Sequence, residues 1–151
     1  MLFYDNINND GSSFNTSFRS GNGKAFVQAY ATSGMVANTP YAIAFGGSSY
    51  NATALIGSIY AYVGVPERVT ASGCMGWVQV RGPVNDVQGA ATSFTGEVGH
   101  NVYWAGATGL GATSSANHGN PTKGAVGILL EGVSSSTTAN IYLTGLWATP
   151  I

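Results

Sequence analysis

Residues 73–83 read GCMGWVQVRGP, and this stretch decides the fold. Aromatic and β-branched residues lie between glycines and end on Gly-Pro, which predicts a strand with a turn at each end. Because strand side chains alternate, one face carries Met75, Trp77, Gln79 and Arg81, and the other carries Cys74, Gly76, Val78 and Val80. The second face is small and apolar and suits a packed core. The first combines an aromatic ring with an amide and a guanidinium, which suits a subunit interface.

The composition indicates a chain that works with partners. It has 151 residues, enough for one domain with a sizeable core. The sequence is 44% hydrophobic but only 7% charged, against roughly 25% in a typical soluble domain. A surface so poor in charge keeps a lone monomer in solution badly, so we expect partners to cover much of it. The alternative is that the uncharged polar residues Ser, Thr and Asn keep the surface hydrated and the monomer soluble. The net charge of −1 gives no basic footprint for nucleic acid.

The residue types predict an all-β fold. Good helix formers are scarce, whereas Gly, Ala, Ser, Thr, Val and Tyr dominate. We expect a single antiparallel β-sandwich or a small barrel, jelly-roll-like, because each strand has two uncharged faces.

The one cysteine, Cys74, cannot form an internal disulfide, which fits synthesis in a reducing compartment. We expect no signal peptide and no membrane span, since no apolar run approaches ~18 residues.

The first 23 residues are rich in Asn, Ser and Gly, and we expect an extended N-terminal arm (1–23) ahead of a β domain (24–151). The arm carries spaced aromatic residues that could dock on a neighbour; the alternative is a frayed terminus. In the β domain, period-2 patterns predict strands at 24–31, 41–45, 55–63, 75–80, 96–105, 124–133 and 139–147, with a short edge piece at 84–89. Residues 106–123 are predicted to form a long loop.

No motif predicts catalysis, a cofactor or a metal. Cys74, His100 and His118 lack the spacing of metal ligands. Asp86 with Glu97 or Glu131 could form the carboxylate pair of a glycoside hydrolase, although chance proximity explains such a pair as well. The eight tyrosines and three tryptophans could form a platform for sugars. Aromatic residues at period 2 are more often core or interface residues, and we favour that interpretation.

Two segments resemble small structural proteins of tailed bacteriophage virions. One is GWVQVRG at 76–82, and the other is the apolar strand, serine loop and β-branched strand within 126–147. The resemblance implies a capsid decoration (cement) protein made in the host cytoplasm. Such proteins have no active site; they bind the outside of the capsid as trimers, use extended arms, and bridge subunits of the major capsid protein. A tail, baseplate or fibre component with a carbohydrate-binding or host-attachment role, with 106–123 at its tip, is the alternative.

On this interpretation the contacts with partners come from the arm and from the mixed face of the central strand. No catalytic, cofactor-binding or metal-binding residue is predicted. The predicted interface residues are Phe3, Tyr4, Phe14, Phe18, Trp77, Gln79 and Arg81.

Removing residues 1–20 should leave the β domain folded but weaken its attachment to partners, because the arm lacks the apolar content of a core. Thermal unfolding of the isolated variant and its binding to a partner surface test the two halves of this statement. A large loss of thermal stability would show instead that the arm belongs to the core.

Overall fold

The structure, a computed structural model, describes residues 3–6, 17–46, 49–54, 62–104, 109–112 and 125–145. Within these ranges every regular element is a β-strand, which confirms the all-β prediction. The strands are β1 (Phe3–Asn6), β2 (Ser17–Gly21), β3 (Lys24–Ala31), β4 (Tyr41–Gly46), β5 (Ser49–Ala54), β6 (Tyr62–Pro66), β7 (Met75–Gly96), β8 (Asn101–Trp104), β9 (Leu110–Ala112), β10 (Gly127–Leu129), β11 (Val133–Ser136) and β12 (Thr138–Thr144).

Five strands close into a small barrel, as the second of the two predicted architectures requires. β3 pairs with β5, β5 with β4, β4 with β6, β6 with the first part of β7, and β7 returns to β3. The β3–β5 ladder is parallel and the other four are antiparallel. Small side chains face the barrel interior, where Ala29, Ala31 and Ala52 are almost fully buried.

A second closed circuit of pairings follows the first. The rest of β7 pairs with β12, β12 with β10, β10 with β8, β8 with β9, and β9 returns to β7. Here too the first strand pairs in parallel with the third and antiparallel with the last. β11 is an addition that pairs with the end of β7. We call these circuits the first ring and the second ring; the first ring lacks a counterpart of β11 among the described strands.

The sequence repeats along with the strand order. Residues 27–33 read VQAYATS, and 87–93, sixty positions later, read VQGAATS. The parallel ladders repeat with the same spacing, since Ala29 lies opposite Tyr50 and Gly89 lies opposite Leu110. The chain therefore contains two copies of one five-strand pattern, which share the long strand β7.

The two rings are filled differently. Large side chains fill the second ring, and the fully buried ones include Phe94, Leu110, Leu129, Ile141 and Leu143. The first ring is lined mostly by alanine and valine, with Ile43 and Met35 as its largest fully buried side chains. Ala42, Val63 and Val65 belong to the apolar cluster of the second ring although they lie on strands of the first. The rings are thus joined by packing as well as by β7.

β7 does not end at Gly82-Pro83, contrary to the turn predicted there. Gly82 has φ +98° and lies against Gly23, whose carbonyl oxygen would clash with any added Cβ atom. A glycine in this conformation bends the strand, and the ladder with β12 continues through Pro83, opposite Tyr142. The predicted core face is confirmed for Gly76, Val78 and Val80, which are all buried, but not for Cys74, which is exposed because it precedes the first residue of β7.

Other predictions also differ from the structure, and most of the predicted strand 55–63 lies outside the described residues. The predicted loop 106–123 contains β9. Just before β9, Gly109 packs so closely on the backbone of Ala90 that an added Cβ would collide with it, so the glycine lets this segment approach β7. The segment 124–133 holds β10 and the start of β11 rather than one strand, because the chain turns between them. The prediction of purely antiparallel strands missed the two parallel ladders, which arise because each hairpin places its second strand beside the first strand of its ring.

The first 23 residues include the antiparallel pair β1 and β2. β2 also pairs with the first half of β3, with Phe18 opposite Val27 and Gly21 opposite Lys24. Of the predicted arm aromatics, Phe3 and Tyr4 lie on β1 and Phe18 lies on β2, while Phe14 lies outside the described residues. The boundary at residue 23 and the docking role of the arm stay predictions.

Gly82→Ala should destabilise the protein by more than the strain of a positive φ, which costs about 1–3 kcal/mol, because its Cβ would also collide with the Gly23 backbone. The free energy of unfolding in urea measures this. Gly99→Ala is the matched control, since Gly99 has φ +88° but no heavy atom within 4 Å of where its Cβ would lie. Equal losses in the two variants would contradict the close packing at Gly82.

Candidate functional site

A cleft opens in the wall of the first ring where β3 separates from β5. The β3–β5 ladder covers only Ala29 to Ala31, while the same edge of β3 pairs with β2 between Lys24 and Val27. The cleft has a volume of about 490 Å³, within the usual size range of small-molecule sites. It is lined by Ala25, Val27, Tyr50, Tyr62, Val80, Arg81, Thr144 and Gly145.

Arg81 stands where the two rings meet. Its backbone lies opposite Ala25 of β3 and opposite Thr144 of β12. An added Cβ on Gly145 would lie 3.4 Å from the Arg81 Cβ and 3.8 Å from its Cδ, so a glycine there leaves room for the arginine stem. The Arg81 side chain is exposed. No carboxylate whose side chain the structure describes lies within ion-pair distance of it, whereas Lys24 Nζ lies 3.6 Å from Glu67 Oε1.

Two tyrosines form the aromatic part of the cleft. Tyr50 on β5 and Tyr62 on β6 are half-buried and pack against the apolar cluster of the first ring. Burial raises the pKa of Tyr50, and the neighbouring Tyr62 adds a smaller electrostatic contribution in the same direction. The neutral phenol of Tyr50 is therefore favoured, and among the described lining side chains Arg81 alone carries a formal charge at neutral pH.

Thr144 provides a fixed polar atom at the rim. Its Oγ1 donates a hydrogen bond to the carbonyl oxygen of Val126 at 3.0 Å. Because a hydroxyl has one hydrogen and two lone pairs, Thr144 Oγ1 can still accept a hydrogen bond. The cleft thus has an apolar floor of Ala and Val, two aromatic rings, one cation and one acceptor.

The predicted mixed face of β7 divides into a structural and an accessible part. Gln79 is only 1% exposed, and its Nε2 donates to the carbonyl oxygens of Arg81 at 3.0 Å and Pro83 at 2.9 Å. It holds the bend of β7 in place and has almost no surface to offer a partner. Trp77 is half-buried opposite Gln28, and an interface role for Trp77 and Arg81 stays a prediction.

The candidate carboxylates lie away from the lining of the cleft. The Glu131 carboxylate accepts hydrogen bonds from the backbone N (2.7 Å) and Nδ2 (3.0 Å) of Asn140. The Asn140 Oδ1 in turn accepts a hydrogen bond from the backbone N of Asp86. Asn140 therefore joins two of the three candidates, with Glu131 engaged in supporting the backbone. Glu97 is exposed, and its backbone N donates to Nδ1 of His100 at 3.2 Å.

Within the described part of the chain, no three side chains of His, Cys, Asp or Glu lie close enough to hold a metal ion. Cys74 is exposed and unpaired with another cysteine, and His118 lies outside the described residues. The described residues also include no helix long and apolar enough to cross a membrane.

Sequence reasoning did not single out Tyr50, Tyr62 or Thr144. The useful signal was the repeat of 27–33 at 87–93, which aligns Tyr50 of the first ring with Leu110 of the second. Leu110 is fully buried, whereas Tyr50 is half-buried at the cleft. Comparing the two copies of the repeat therefore shows that this position holds a tyrosine in the first ring and a leucine in the second, where the side chain is part of the core.

No protein-family model matches the chain, and no curated protein does. Among solved structures, the chain is similar to the head fiber gp8.5 N base in bacteriophage phi29, with 18% sequence identity and a TM-score of 0.48. The match covers 82% of this chain and 97% of that chain. A likeness at this level carries no argument about function.

Gln79→Leu should lower the free energy of unfolding by about 1–3 kcal/mol, because it leaves the carbonyl oxygens of Arg81 and Pro83 without their buried donor. Urea unfolding measures the loss. Gln88→Leu, at an exposed position of the same strand, is the control and should stay near the wild type. If the two variants unfold alike, Gln79 does not hold the bend.

Proposed function

We propose that the protein is a non-enzymatic structural component of a tailed-phage virion, a decoration protein that binds the outside of the capsid. In this role it bridges subunits of the major capsid protein and stabilises the shell, as a homo-oligomer that we expect to be a trimer. The observation that carries the proposal is a β fold with two apolar cores and only 7% charged residues. The GWVQVRG and 126–147 patterns support the virion class.

The described surface exposes apolar side chains that a partner would cover. Val36 and Val69 flank the bridge between Met35 and Thr70, so they are cross-strand neighbours at one edge of the first ring. They are 58% and 74% exposed. Adjacent exposed valines leave apolar area in water, and covering it stabilises an assembly by roughly 25 cal/mol per Å².

The second ring has a similar surface. Ile128 and Leu130 lie on the outer side around β10 and are 36% and 39% exposed. Val98, in the turn between β7 and β8, is 67% exposed. The backbone N of Gly99 donates to the carbonyl oxygen of Leu129, which places this turn beside β10. Apolar surfaces on both rings suit a protein that contacts more than one neighbour, as bridging requires. A specific contact of this kind buries about 800 Å² per partner.

A tail, baseplate or fibre component is the second candidate, and the open cleft favours it, because its arginine has no ion-pair partner among the described side chains. The two candidates differ in where the protein sits on the particle. Electron cryomicroscopy of particles decorated with the recombinant protein separates them, because density on the head shell supports the first and density confined to the tail supports the second.

Val36→Glu combined with Val69→Glu should abolish saturable binding to capsids, since it places two charges where we propose an apolar contact. Cosedimentation of the protein with undecorated capsids measures the binding, and light scattering measures the oligomer. Folding should be kept because both side chains are exposed. Ser134→Glu, an exposed position on β11, is the matched control.

Full binding by the double variant would remove this edge from the proposed contact. A wild-type protein that stays monomeric at high concentration and binds neither heads nor tails would overturn the proposed function itself.

A further inference from the structure

We propose that the cleft at the junction of the two rings binds a single acidic sugar residue, a uronic acid or a related carboxylated pyranose. Arg81 would pair with the carboxylate, and Tyr50 and Tyr62 would contact the ring of the sugar. This inference goes beyond the structural role proposed above, because it does not depend on where the protein sits on a particle.

The charge of the cleft selects an anion. The exposed guanidinium of Arg81 has no carboxylate partner among the described residues, although the nearby Lys24 has one in Glu67. A guanidinium presents two parallel N–H donors that match the two oxygens of a carboxylate. The glycine at 145 leaves space along the stem of Arg81, which lines the cleft.

The shape and chemistry of the cleft favour a sugar over a peptide. A peptide that adds to a sheet needs a free strand edge. Around the cleft both edges of β3 are paired, with β2 on one side and β7 on the other, and Arg81 of β7 is paired with β3 and β12. A ligand would therefore be recognised by the side chains that line the cleft, which has a volume of about 490 Å³, and not by a strand edge. A pyranose has an apolar C–H face that packs on aromatic rings and hydroxyls that can donate to Thr144 Oγ1.

The difference between the two copies supports a role for the opening. The second ring has Leu110 where the first has Tyr50, and Leu110 is fully buried together with Phe94 and Leu129. The second ring has the same strand order, but large side chains fill its interior. The first ring, lined by small residues, keeps a cleft beside a cation.

Binding of methyl β-D-glucuronide to the full chain tests the proposal, with methyl β-D-glucoside as the neutral probe of the same size. Two-dimensional NMR titration should show saturable binding of the glucuronide at about millimolar concentration, with shifts at Tyr50, Tyr62, Thr144 and Gly145. The glucoside should bind at least roughly tenfold more weakly, because it lacks the carboxylate.

Arg81→Gln should weaken glucuronide binding roughly tenfold or more. Arg81→Lys should keep part of the wild-type affinity, since lysine carries the charge but lacks the two parallel N–H donors of the guanidinium. Arg68→Gln, which removes an exposed arginine outside the cleft lining, should leave binding unchanged. The shift map of the wild type keeps the test decisive if a variant unfolds.

Equal binding of the two sugars, shifts centred elsewhere, or equal losses in the Arg81 and Arg68 variants would overturn the proposal. Tighter binding of N-acetylglutamate amide than of the glucuronide would also overturn it, in favour of an acidic peptide. Cosedimentation with capsids in the presence of glucuronide reports on the structural role separately.

Discussion

The structure depends on the backbone pairing of one strand. β7 runs for 22 residues and supplies the last strand of the first ring and the first strand of the second. A strand that pairs on both edges over such a length needs a bend where it passes from one ring to the other. Gly82 allows that bend, and Gln79 fixes it by donating to the carbonyl oxygens of Arg81 and Pro83. These few residues set the relation between the two cores.

The same arrangement explains where the cleft lies. β2 and β5 share one edge of β3, so the wall of the first ring separates where one partner gives way to the other. Arg81 comes next to that opening because it is the residue at which β7 pairs with both β3 and β12. The cleft is therefore a consequence of joining two rings through a common strand, and the choice of small or large side chains decides whether each ring keeps such an opening.

Much of this fold could be predicted from the sequence, but not the closure of the rings. Period-2 patterns located β3 and the core face of β7, because alternation reports directly which side chains are buried. Gly82-Pro83 predicts a turn because that dipeptide usually ends a strand, whereas in the structure β7 stays paired with β12 through Gly82 and Pro83. Gln79 looked like an interface residue, since alternation cannot distinguish a buried amide with two backbone partners from an exposed one. The cleft residues come from five strands distant in sequence, and no local pattern brings them together.

The shared strand also sets an order on the formation of the protein during synthesis. The first four strands of the first ring and the part of β7 that pairs with β3 all lie before residue 82, so they are present while the second half of the chain is still on the ribosome. The second ring cannot close until β12, at residues 138–144, has emerged. Its first strand, however, continues directly from a strand that the first ring already holds. The first ring can thus act as a template that aligns the start of the second, which lessens the entropic cost of bringing distant strands together.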